Sequence, residues 1–197
     1  SGLSKLNYIT IGNSVERIDS AAFRGSLCYG IILPNTLKSI GAEAFKDARG
    51  ASGGGDLYIP NSVKSIGAAA FSGVGMRSLI LGDSVEYIGP NAFDGSAGRH
   101  LTIPSSVKFI GKNAFEGFGT SDPLTLVIKD RMDDLDLSDT KLYRASIDTL
   151  YLGTNKLNGI ELEDLKHITL ASNITSIPTF KDCKELRSIV SLASTPP

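Results

Sequence analysis

The chain has no tryptophan, two histidines, two methionines and two cysteines in 197 residues. So few cysteines exclude the disulfide framework that holds together small secreted domains. No charge of one sign dominates: 20 basic and 21 acidic residues leave a net charge of −1. That balance provides no field to attract nucleic acid or an anionic membrane surface. No apolar run approaches the ~18 residues needed to span a bilayer, so membrane insertion is not expected from this segment. The sequence begins Ser1-Gly2 without an initiator methionine and shows no signal peptide. We read it as a fragment of a longer protein, in which the absence of a leader carries no information.

What the chain has is a repeat. Leu57-Tyr-Ile-Pro-Asn-Ser-Val63-Lys-Ser-Ile66-Gly67-Ala-Ala-Ala70-Phe71-Ser-Gly73 returns at 79–95 and 101–117, and two further copies precede it. Its phenylalanines, Phe23, Phe45, Phe71, Phe93 and Phe115, are spaced 22, 26, 22 and 22 residues apart. A fixed period in the twenties predicts a solenoid in which each coil contacts only its neighbours. The four extra residues of the second interval coincide with Gly50-Ala-Ser-Gly-Gly-Gly55, expected to be a loop insertion between coils.

Each unit divides into three parts. Leu-x-Ile alternates as a half-buried strand does and is stopped by Pro34, Pro60 or Pro104, or by Gly12 or Gly82. Val/Leu-x-x-Ile returns along the opposite wall. Gly41, Gly67, Gly89 and Gly111 then follow at a corner expected to require positive φ, with Asp19 tolerating that conformation in the first copy. Ala-Phe forms a turn or a single helical turn. One coil alone cannot bury its Leu, Ile, Val, Ala and Phe, whereas stacked coils can.

Past Phe115 the motif loosens. Leu126-Val-Ile128, Leu150-Tyr-Leu152, Ile168-Thr-Leu170 and Leu186–Leu192 continue the strands, but Lys129–Asp139 lacks both Val-x-x-Ile-Gly and Ala-Phe. The expectation is a single β-rich domain over 1–197, with short strands on two walls in about 8–9 coils. Its regular coils span 9–117, its degenerate coils 126–165 and its last coils 168–192. Pro196 and Pro197 would discourage pairing on the final edge. Cys28 and Cys183 fall at opposite ends of such an array, too far apart for the ~7 Å Cα separation of a disulfide. Cys183 is expected to be a small buried side chain.

The string Ile-Pro-Asn-Ser-Val-Lys-Ser-Ile-Gly-x-x-Ala-Phe-x-Gly resembles the leucine-rich repeat of the BspA-like family over 9–117 and again over 168–192, with Phe180 and Cys183 in the family's aromatic and cysteine positions. The resemblance implies a leucine-rich-repeat solenoid, a right-handed superhelix, in a secreted or cell-surface bacterial protein engaged in adhesion to host matrix or cell-surface proteins. It implies no catalytic motif and no cofactor.

Catalytic and metal chemistry finds little support in the residues themselves. Gly50-Ala-Ser52-Gly-Gly54 has the spelling of a nucleophile elbow, but no strand precedes it and no helix pattern follows. It also lacks the Lys-Ser/Thr of a phosphate-binding loop. Asp134-Leu-Asp136-Leu-Ser138 alternates like a calcium loop, yet Asp139 stands at its glycine position and Ala145 at its terminal glutamate position. The acidic segment 130–139 is therefore read as a solvated, irregular stretch. His100 and His167 share one outward column but lie three strand steps apart, ~14 Å, so they are read as solvated strand histidines.

Recognition is expected instead on the outward face of the strand wall, taken to be the concave sheet. Its candidate residues are Tyr8, Ile32, Tyr58, Ile80, His100, Thr102, Val127, Tyr151, His167 and Thr169. A protein ligand is the first expectation, with the chain itself a monomer. A glycan is the alternative, suggested by tyrosines beside Asp56, Thr102 and His100. A third possibility is a spacer that carries another domain.

Overall fold

The structure, a computed structural model, describes residues 6–48, 55–131, 133–142, 145–176, 180 and 183–192. It is a parallel β-solenoid of about eight turns. The first wall is formed by β1 (Leu6–Thr10), β3 (Cys28–Ile32), β5 (Asp56–Tyr58), β7 (Ser78–Ile80), β9 (His100–Ile103), β11 (Leu124–Ile128), β13 (Ile147–Leu152), β15 (His167–Leu170) and β16 (Ser188–Ser191). The second wall is formed by β2 (Arg17–Ile18), β4 (Ser39–Ile40), β6 (Ser65–Ile66), β8 (Tyr87–Ile88), β10 (Phe109–Ile110), β12 (Leu135–Asp136) and β14 (Leu157–Asn158). Every pairing is parallel, and Ser138–Thr140 forms a 3-10 turn.

The second wall consists of two-residue strands because proline or glycine stops the first wall and the corner follows almost at once. In four successive coils the residue before the strand donates its N–H backwards: Lys38 to Glu16 O, Lys64 to Lys38 O, Glu86 to Lys64 O and Lys108 to Glu86 O, at 2.7–2.9 Å. At the corner this direction reverses. Gly67 N–H still points back to Ile40 O (2.8 Å), whereas Ala69, Phe71 and Gly73 donate forward to Pro90 O, Ala92 O and Asp94 O (2.7–2.8 Å).

That reversal corrects the expected role of the corner glycines. Gly41, Gly67, Gly89 and Gly111 do not have positive φ. The left-handed conformation falls two residues later, on Ala21, Glu43, Ala69, Asn91 and Asn113 (φ 53–59°). The glycines are required by proximity: a Cβ on Gly67 would lie 2.5 Å from Ala42 N, and one on Gly111 2.3 Å from Pro90 N, in the coil beneath. Asp19 occupies the same position in the first copy, where its side chain is exposed and paired with Arg17. Its tolerance there comes from free space rather than from an affinity for left-handed backbone.

The Ala-Phe turn lies inside the corner and is not helical. Phe23, Phe45, Phe71, Phe93 and Phe115 stack face to face, with centroids 5.1–5.9 Å apart and planes within 10°. Phe118 closes the column edge-on against Phe115, at 83°. From Phe45 onward these rings are fully buried. The residue three places after the phenylalanine also reaches back one coil: Ser96 Oγ donates to Val74 O (2.8 Å) and Cys183 Sγ to Leu162 O (3.0 Å). Cys183 is half-buried and hydrogen-bonded, more than the buried filler expected of it. Cys28 is buried, and no disulfide joins the two cysteines.

Among the described residues, each wall is interrupted once. On the first wall, β1 and β3 form a two-stranded sheet, and a seven-stranded sheet begins at β5. The glycine insertion expected at this interval lies outside the described residues except for Gly55. On the second wall, β10 ends a five-stranded sheet while β12 pairs only with β14. Wherever one wall is broken the other is continuous, so no coil loses both of its ladders.

The acidic segment is more ordered than its composition suggests. Leu135 and Leu137 are buried and take over the inward role of Val-x-x-Ile. Four of the five carboxylates of this segment have partners within the chain: Asp133 with Arg131, Asp134 with Lys156, Asp130 with Tyr151, and Asp136 with the N–H and Oγ of Ser138. Arg131 itself is buried, its Nη2 donating to Val107 O (2.9 Å) and its Nε to Asp133 Oδ1 (2.9 Å). The Arg131 hydrogen bond holds the Asp133 carboxyl below its usual range. A carboxylate so depressed contributes stability fully above its unfolded value near 4 and loses it as pH falls through the lower folded value. Asp133→Asn should therefore be destabilised by about 1 kcal/mol at neutral pH, after allowance for the exposed carboxylate. Urea unfolding across pH should show that gap closing in acid; a gap independent of pH would reject the ion pair as its cause.

Candidate interaction surface

The seven-stranded sheet brings the outward side chains into a strict ladder. Tyr58, Ile80, Thr102, Val127, Tyr151, Thr169 and Val190 are successive partners in one row. Asp56, Ser78, His100, Thr125, Thr149, His167 and Ser188 form the row beside it. Tyr8 and Ile32 belong to the separate pair β1–β3, where Tyr8 faces Gly30 and Thr10 faces Ile32. The Tyr8 ring covers Gly30 so closely that a Cβ there would meet it at 2.8 Å. The ten candidate residues therefore occupy two sheets: eight on the long ladder and two on the short one.

Exposure along the ladder is graded. Tyr58 is 58% exposed and Ile80 36%, while Thr102, Val127, Tyr151 and Thr169 are half-buried. His100 and His167 are exposed, three strand positions apart. His167 Nδ1 lies 2.8 Å from Ser188 Oγ, and no group of three or more metal-ligating side chains occurs among the described residues.

The row of half-buried residues ends in a grooved rim where the strands give way to loops. Two open depressions of about 430 and 420 Å³ lie there. Val127, Tyr151 and Asp130 line one, and Tyr58, Ile80 and Asn61 line the other. Asp83 and Lys129 line both and form an ion pair across them, Lys129 Nζ to Asp83 Oδ1 at 2.5 Å. Lys129 follows β11 and Asp83 follows β7, so this contact spans the end of β9. Tyr151 Oη donates to Asp130 Oδ1 (3.0 Å) and Tyr58 Oη to Asp56 Oδ2 (3.4 Å). Burial, and then the Asp130 carboxylate, raise the Tyr151 phenol above its ordinary value. Tyr151 therefore stays protonated and serves as a hydrogen-bond donor at physiological pH. This arrangement provides apolar faces flanked by paired charges, which suits recognition by contact.

A profile of the BspA type leucine rich repeat region matches residues 1–52 and 55–127, in six copies. The chain belongs to this family. The BspA-type match stops at residue 127, just before the segment in which the motif is lost and Arg131 is buried. Among solved structures, a leucine rich cell surface protein from Faecalibacterium prausnitzii A2-165 aligns with 96% of this chain and 80% of its own, at 18% identity and a TM-score of 0.42. No curated protein matches the chain.

Three features of the BspA-type solenoid escaped the sequence reading. One is the Asp83–Lys129 pair, 46 residues apart. Another is buried Arg131. The third is on the second wall, where exposed Tyr87 and Phe109 stack at 4.9 Å with planes 8° apart. The last had a signal: other copies place Arg17, Ser39 and Ser65 at that letter of the repeat.

Proposed function

We propose that this BspA-type repeat array is a non-catalytic interaction module of a secreted or cell-surface bacterial protein, and that it holds a protein ligand on the outward face of the seven-stranded sheet. The observation that carries this reading is the pairing of two apolar stations, Tyr58–Ile80 and Val127–Tyr151, on either side of the Asp83–Lys129 bridge. Aromatic and aliphatic anchors flanked by partnered charges are what a protein interface uses, since the anchors supply affinity and the charges supply orientation. The family supports a surface setting; a host matrix or cell-surface protein is the class of ligand proposed.

The test is capture. Immobilised protein is exposed to host matrix and cell-surface extracts beside the variant Tyr58→Asp/Ile80→Asp/Tyr151→Asp. The wild type should retain a ligand that the variant loses by at least tenfold, equivalent to ~1.4 kcal/mol, with an unchanged circular-dichroism spectrum. Equal retention would reject this face.

The hydrogen bonds from Tyr58 to Asp56 and from Tyr151 to Asp130 favour a second reading, a glycan laid across the tyrosine rings with the carboxylates receiving its hydroxyls. A glycan array gives the answer: reproducible hits abolished by Tyr151→Ala support it, and an empty array removes it.

A further inference from the structure

We propose that the free edge of β10 is a second docking site, where an extended peptide from a partner protein adds a strand to the five-stranded sheet. The site lies on the opposite wall from the tyrosine ladder and does not depend on it.

Three observations converge on this edge. First, the backbone is poised to accept. In each preceding coil the carbonyl just before the wall strand (Glu16, Lys38, Lys64, Glu86) receives an N–H from the next coil, whereas Lys108 O receives none among the described residues. The next coil's strand, β12, bridges β14 instead. Second, the core is uncovered here. The inward isoleucines Ile18, Ile40, Ile66 and Ile88 are 0–4% exposed, but Ile110 is only half-buried. The opening is narrow, because Val107 is sealed by Arg131 on one side and Ala114 and Phe115 are fully buried on the other. Third, Phe109, stacked on Tyr87, is 48% exposed.

The spacing of the backbone bonds defines the occupant. In the existing coils the donors to the carbonyl before the strand and to the inward isoleucine are three residues apart: Glu86 and Gly89, or Lys108 and Gly111. A ligand must therefore present N–H groups at i and i+3 in extended form, an apolar side chain inward over Ile110, and a flat or apolar one outward onto Phe109. A peptide chain satisfies this requirement and a glycan does not. Addition of a strand to an exposed edge is an established mode of peptide recognition, in which backbone bonds give affinity and side-chain pockets give selectivity.

The chain's own repeat supplies the probe. A capped peptide of sequence Ser-Val-Glu-Tyr-Ile-Gly-Pro, taken from residues 84–90, is titrated into the intact 197-residue protein and followed by amide NMR. The expected result is a saturable change confined to 86–88 and 108–111. N-methylation of the peptide at its Glu and Gly positions should abolish it, and Phe109→Ala should weaken it by about three- to tenfold. Lack of saturation at ~1 mM, in the weak-affinity range, would overturn the proposal, as would undiminished binding of the N-methylated peptide or changes lying elsewhere. Shifts at the same edge that grow with protein concentration alone would identify a second copy as the occupant and would equally overturn it.

Discussion

Replacing Phe71 by alanine should lower the free energy of unfolding by about 3–5 kcal/mol. The ring is fully buried and sits between Phe45 at 5.1 Å and Phe93 at 5.4 Å, so truncation opens a void inside two coil–coil interfaces at once. Beyond the lost transfer energy, each stacked pair carries about 0.5–1.5 kcal/mol of its own. The first ring of the column provides the internal control. Phe23 is half-buried and has a single stacking neighbour, and Phe23→Ala should cost less than half as much. Urea unfolding of the two variants decides the point. Equal losses would mean that the column is not a continuous structural element and that each coil stabilises itself.

The second large effect concerns the corner. Gly67→Ala should destabilise by at least about 2 kcal/mol, because the added methyl would meet backbone rather than a side chain able to move aside; its nearest neighbours are Ala42 N at 2.5 Å and Gly41 C at 2.6 Å. Ala69→Gly, two residues away, should have the opposite sign. Ala69 has φ 53°, and relief of the left-handed conformation, ~1–2 kcal/mol, outweighs the ~0.5–1 kcal/mol of added glycine entropy. A small gain in stability is expected. If Gly67→Ala is tolerated while Ala69→Gly destabilises, the corner glycine is there for conformational freedom after all, and the close-approach account fails.

These two residues show what the sequence could and could not convey. The inward letters of the repeat were legible because stacking demands the same chemistry in every coil, so repetition exposes them directly. The outward rows were legible for the same reason, since strand alternation fixes which letter faces solvent. The corner glycine was visible as a requirement but not as a cause: the atoms that forbid a Cβ belong to a different coil, 25 residues earlier in the case of Ala42 and Gly67. Arg131 and Leu135 were unreadable for a related reason. They replace the motif with residues of another type, and the burial of Leu135 and Leu137 and the contacts of Arg131 with Val107 O and Asp133 show that the segment is packed. The Asp83–Lys129 pair depends on two loop ends meeting across a third strand, which no local pattern encodes.

The breaks in the two walls follow the same logic. Each interruption falls where the coil departs from the 22-residue spacing, between Phe45 and Phe71 and again after Phe115. A longer coil cannot keep both walls in register with its neighbour, and in each case one ladder is kept while the other opens. Regular coils specify the scaffold, and the departures create the surfaces that differ from coil to coil.

If the outward face of the seven-stranded sheet, and not the rest of the solenoid, holds the protein ligand, binding should cover that face alone. Side-chain footprinting by hydroxyl radicals, with the captured ligand bound, tests it most directly. Tyr58, Ile80 and Tyr151 should become protected while residues on the corner turns are labelled as in the free protein. Unchanged labelling of Tyr58, Ile80 and Tyr151, with protection confined to Tyr87, Phe109 or the corners, would contradict it.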